Sequence, residues 1–178
     1  MSDARSQRNV RRFTMLVSVS LLVIGCAKED PRVLEMRRRL SMESEPADVT
    51  TIEEAKNSLH EHPNVLIAAR IVDDEYEAFI DRQAAFIVTE IVPDDHTHGG
   101  NEHDAANCPF CSRKANALRA AVQFVDDSGK PIGIDARELF SIHQGDTVVV
   151  AGKGELIPGL DMLQITAERI FVRTGSAR

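Results

Sequence analysis

The sequence predicts a mainly β domain in which three strands, a short helix and two further strands follow a pair of N-terminal helices. Three observations carry this. Apolar residues recur with a period of two from about residue 63 onward, as on half-buried strands. Clusters of Gly, Pro, Asp and Ser separate those runs. Upstream, a helix-start signature replaces the alternation.

Taken in order, residues 31–42 form a candidate helix in which Val33, Leu34, Met36 and Leu40 interleave with Arg37, Arg38 and Arg39. Residues 27–50 are polar and charged and are expected to be a solvated linker. If they lie near a membrane, the arginine triplet can touch anionic headgroups. Thr51 and Glu54 have the spacing of a capping box, which predicts a helix to about residue 59. Pro63 ends that stretch, because the residue before a proline avoids the helical region.

Val65, Ile67, Ala69 and Ile71 then share one face of a first strand. Residues 85–91 form a second. Leu118, Ala120, Val122 and Phe124 alternate with Arg119 and Gln123 in a third. Residues 126–131 are a turn, after which residues 132–135 are expected to resume pairing as a hairpin. Residues 136–140 read as a short helix, residues 147–151 as a fourth strand and residues 163–172 as the last. We see no internal repeats.

Three phrases in this order resemble an OB-fold, a small Greek-key barrel. They are Val122-Gln-Phe-Val-Asp-Asp-Ser-Gly-Lys-Pro-Ile132, Gln144-Gly-Asp-Thr-Val-Val-Val-Ala-Gly-Lys153 and Leu163-Gln-Ile-Thr-Ala-Glu-Arg-Ile170. The resemblance spans about residues 63–174 and implies a five-stranded barrel, expected to close between its first and last long strands. A generic β-sandwich or another small barrel is the alternative.

The chain has 178 residues, enough for one domain and a leader. Its first 26 residues have their own logic. Arg5, Arg8, Arg11 and Arg12 precede thirteen uncharged residues, Phe13 to Gly25. That run is shorter than the roughly 20 residues a spanning helix needs. It has the charged-then-apolar plan of a secretory signal peptide. Val23-Ile24-Gly25-Cys26 resembles the lipobox of bacterial lipoproteins, although that pattern more often has Leu at Val23 and a small residue at Ile24. The resemblance implies cleavage after residue 25, a lipid on Cys26 and an extracytoplasmic protein tethered to a membrane. Residues 26–62 then become the lipid tether and helices. Ala27, rather than Asp, follows the cysteine, which in a two-membrane bacterium points to the outer membrane and the periplasm. A plain signal peptide and an uncleaved anchor are the competing readings, and Arg11-Arg12-Phe13 weakly resembles a twin-arginine signal.

The formal net charge is −7. Loss of residues 1–25 leaves 17 of the 21 basic and 27 of the 28 acidic residues, a net of −10. That balance opposes non-specific binding to nucleic acid. Many OB domains stack bases on exposed aromatics in a basic groove. Aromatics make up only 4% here, and several of them occupy core-facing positions. Nucleic acid is therefore not the expected partner; a protein at the cell envelope is.

One constellation carries chemistry. Residues 93–116 separate the second and third strands, and an insert of that length in a compact domain is often functional. Three of the six histidines (His96, His98, His103) and two of the three cysteines (Cys108, Cys111) lie between positions 96 and 111. Cys108-Pro-Phe-Cys111 resembles the Cys-Pro-x-Cys knuckle of zinc-binding modules. Two thiolates at that spacing can wrap one tetrahedral ion, and His103 with either His96 or His98 would complete four ligands. A full protein shell is structural, whereas three ligands leave an exchangeable position. Zinc is the expected metal and copper the second candidate. Two alternatives stay open: a disulfide, and a redox site like the Cys-Pro-aromatic-Cys of glutaredoxin-like enzymes, with Arg113 and Lys114 favouring a thiolate. The sequence around the motif does not supply the thioredoxin-type fold of those enzymes. His60 and His62 read as surface residues at a helix end, and His143 as a residue before a turn. No nucleophile–base pattern or phosphate loop is recognisable, so a non-enzymatic binding module is the leading expectation. Metal handling by copper or zinc exchange and a thiol–disulfide oxidoreductase are the others.

Overall fold

A computed structural model describes residues 29–73, 77–91, 97–98, 101–102 and 118–173. Two helices come first, α1 (Pro31–Leu40) and α2 (Ile52–Ser58). They precede strands β1 (Asn64–Ile71) and β2 (Ala85–Thr89). A two-residue pair, β3 (Thr97–His98) and β4 (Asn101–Glu102), follows. The chain then forms β5 (Arg119–Phe124), α3 (Ala136–Phe140), β6 (Thr147–Leu156) and β7 (Leu163–Val172).

The five long strands make a closed barrel in the order β1-β2-β5-β7-β6. All its neighbours are antiparallel except β5 and β7, which run parallel with Ala120 opposite Leu163 and Phe124 opposite Ala167. With α3 between β5 and β6, this is the OB-like, mainly β architecture expected from the sequence. The closure differs from expectation. β1 closes on β6, with Asn64 opposite Lys153 and Arg70 opposite Thr147. The last strand lies between β5 and β6 instead. β2 and β6 take the two edges of β1, so β7 pairs with β5 and β6.

Period-two burial holds round the barrel. Val65, Ile67, Ala69 and Ile71 point inward from β1, as do Ala120, Val122 and Phe124 from β5. β6 is longer than expected and carries a bulge at Ala151/Gly152. A Cβ on Gly152 would sit 2.3 Å from the Thr166 carbonyl oxygen, so only glycine lets β6 and β7 approach here. β2 ends at Thr89, two residues short of the expected end. Of residues 132–135, only Ile132 resumes the pairing, its N–H donating to the Phe124 carbonyl at 3.0 Å. One bridge joins Val125 to Pro131, after which the Ile132 carbonyl accepts from the Ala84 N–H and Asp135 caps α3.

The expected solvated linker is folded. Val33 and Leu40 of α1 are buried in the same core as Ile52 and Ala55 of α2. Burying an aliphatic side chain contributes about 1.5–3 kcal/mol, which favours docking both helices over leaving them in water. Arg37 turns inward, its Nε donating to the Leu139 carbonyl at 2.6 Å and Nη2 to the Glu138 carbonyl at 2.8 Å. It thus satisfies carbonyls at the end of α3, where a helix leaves acceptors unpaired. Arg38 and Arg39 stay exposed. Ser41 then bridges to Ile170, and Thr50 bridges to Ile67. The capping box of Thr51 and Glu54 is formed as expected.

Candidate functional site

The His/Cys insert leaves the barrel after β2 and returns at β5. Thr89 and Arg119 are register partners, and the Glu90 N–H donates to the Leu118 carbonyl at 3.1 Å. The two stalks are therefore held side by side, and the insert closes a loop on one strand pair. Within it, Thr97 stands opposite Glu102 and His98 opposite Asn101 in the β3–β4 pair.

The root of the insert is tied to α2. A Glu90 carboxylate oxygen accepts the Ile52 N–H at 2.9 Å and the Glu53 N–H at 3.3 Å. These are amides at the start of α2, which have no acceptor within the helix. Burial pushes the Glu90 carboxyl above its ordinary range, the two amides oppose that, and the Glu53 and Glu54 charges add to it. Sequence reasoning missed Glu90. The available signal is a carboxylate inside the apolar run from Phe86 to Ile91.

The β6–β7 hairpin reaches the same end of the barrel, since Leu163 lies beside Ala120 and Leu156 beside Leu163. Lys56 of α2 pairs with Asp161 in its tip at 2.7 Å. Leu156 and Leu160 are exposed there.

At the opposite end, Phe124 packs on Phe140 of α3 with ring centroids 4.7 Å apart. Arg137 bridges Asp135 and Asp81, each at 2.7 Å, and lies over the Phe79 ring. Its hydrogen bond holds the Asp135 carboxyl down at about 2. A groove of about 430 Å³ between α1 and α3 is lined by Asp30, Arg32, Arg82, Ile134 and Glu138, among others. Of these, Asp30 caps α1 and Asp135 caps α3.

Of the residues predicted for the metal, His96, His103, Cys108 and Cys111 lie outside the described residues, as does the lipidation candidate Cys26. His98 is placed by its backbone alone. Among the described residues, no group of three His, Cys, Asp or Glu could hold a metal ion. No helix among them is long and apolar enough to cross a membrane. His60 and His62 are exposed just beyond α2. His143 is exposed too, and its N–H donates to Asp146 Oδ2 at 2.8 Å, as a turn residue. Phe79, Phe86, Phe124 and Phe140 are buried in the core, which removes these four rings as stacking platforms.

No protein-family model matches the chain, and no curated protein does. Among solved structures, it is similar to an aspartyl tRNA synthetase from Entamoeba histolytica and to a putative aspartyl-tRNA synthetase from Leishmania major Friedlin. Both are 12% identical to it, with TM-scores of 0.40 and 0.44. The alignments cover 74% and 85% of this chain but only 23% and 27% of those proteins. The chain thus spans about a quarter of the length of the solved chains it matches.

Proposed function

We propose that the chain is a membrane-anchored extracytoplasmic lipoprotein, held by lipid on Cys26, whose barrel carries a metal-binding insert and works as a non-enzymatic binding module. The observation that carries this reading is the separation of core from insert. The barrel has a continuous apolar interior, while the cysteine and histidine ligands are concentrated in a polar segment rooted on neighbouring strand ends. A segment with little apolar content gains little burial to offset its ordering entropy. Metal binding offsets that cost, because it is coupled to folding of the ligand-bearing chain. Cys108, Cys111, His103 and one of His96 or His98 are the proposed ligands, with zinc in a structural role.

Limited proteolysis with and without a chelator tests the reading. Wild type is expected to become cleavable within residues 93–116 when metal is removed. Cys108→Ser, Cys111→Ser and His103→Ala are expected to be cleavable there throughout, with the barrel left intact. Identical cleavage in all four proteins, with or without chelator, sinks the metal site. A wild-type Cys108–Cys111 disulfide that turns over with a thiol substrate supports the oxidoreductase reading, and loosely held copper supports metal handling. Mass spectrometry tests the anchor separately: acylated Cys26 at the amino terminus is expected, and Cys26→Ser should release the protein from membranes. An intact leader on the mature protein contradicts it.

A further inference from the structure

The two ends of the barrel are chemically different, and the anchor belongs to one of them. Cys26 precedes Glu29 by three residues, and three residues reach at most about 11 Å. Glu29 is paired with Arg37, which is bonded to the end of α3, and Val33 and Leu40 fix α1 in the core. No long linker therefore separates the lipidation position from the folded barrel. The start of α1 shares its groove with Arg82, Gly133, Ile134 and Asp135. The turn containing Arg82 sits where β2 begins and β5 ends, since the Phe124 N–H donates to the Ala84 carbonyl. The insert departs from the other ends of the same two strands, at Thr89 and Arg119. The Leu156–Leu160 hairpin lies at that far end too. β7 alone is about 33 Å long at the usual rise, which leaves on the order of 20 Å between the ends once barrel tilt is allowed for.

We infer that the α1 end of the barrel rests against a lipid bilayer and that the strand ends at Thr89 and Arg119, from which the insert departs, and the Leu160 hairpin are held away from it, facing the aqueous side. This rests on acylation of Cys26. Acidic and basic groups are mixed around the groove (Asp30, Arg32, Arg82, Asp135 and Glu138), so the covalent anchor sets the orientation and anionic lipid is not required.

The chain contains no Trp, so one introduced Trp is a unique probe. Ile80, beside the Arg82 turn, is 48% exposed, and Leu160 is 60% exposed, so both positions have room for the larger ring. Acylated Ile80→Trp and Leu160→Trp proteins are reconstituted into phosphatidylcholine vesicles containing a lipid with a nitroxide-labelled headgroup. Ile80→Trp is expected to lose its fluorescence and Leu160→Trp to keep it. Loss in Leu160→Trp alone, equal loss in both, or loss in neither among proteins that float with the vesicles overturns the orientation while leaving the anchor reading standing. Acylated protein that does not float with the vesicles overturns the anchor reading, and the orientation with it.

Discussion

Glu90 is where a single residue joins the candidate site to the rest of the fold. Its carboxylate bridges the insert's root to the first amides of α2, yet burial favours its protonated form. A carboxyl raised in the folded state supports folding below its unfolded value, ordinarily about 4.5, and loses that support as pH rises through the folded value. Glu90→Gln keeps an acceptor and removes the charge. Chemical denaturation should therefore show it gaining on wild type as pH rises above that range, whereas Glu90→Ala should cost about 1 kcal/mol, as loss of a helix cap does. A Gln variant with an unchanged pH profile would refute the burial argument. Asp135 has the opposite sign. Its carboxyl is held at about 2, so its support is present above about 4 and is lost as pH falls toward 2. Asp135→Asn retains a capping side chain, and its stability should fall less steeply than wild type's in that window. Equal slopes would count against the Arg137 pairing as the cause. Glu90 was not legible in the sequence because it acts on amides of a distant segment, whereas Asp135 is a local helix cap that the hairpin reading of residues 132–135 passed over.

The strands were readable element by element because a closed barrel buries one face of each, so inward residues alternate throughout. Residues 136–140 were readable as a short helix between two such strands. The docking of α1 was not. Val33, Arg37 and Leu40 line one face at helical spacing, but the surrounding charges made the stretch resemble linker. Arg37 is accommodated on that face because two α3 carbonyls receive its N–H groups. The helices are expected to be part of the cooperative unit. Ile52→Ala, at a fully buried position, should lower stability by about 2–5 kcal/mol in denaturant titration. A loss below about 0.5 kcal/mol would mean that α2 sits on the barrel without contributing to its core.

Taken whole, the described molecule is a barrel with helices packed against it, and the proposed metal ligands belong to the insert between β2 and β5. The closure of β1 on β6 was not legible in the sequence, since pairing partners are set by contacts between distant segments. The proposed ligand set rests on the sequence: the described residues place the strand stalks of the insert and the backbone of His98, while the other proposed ligands lie outside them. Thiols and imidazoles must lose protons to bind metal, so the bound ion should leave on acidification. The most direct measurement is the metal-to-protein ratio of protein purified without a histidine tag, by elemental analysis, for wild type and for Cys108→Ser/Cys111→Ser. The account predicts about one zinc per wild-type chain, retained at neutral pH and released in acid, and none in the double variant; wild-type protein free of metal after purification in the presence of zinc would contradict it.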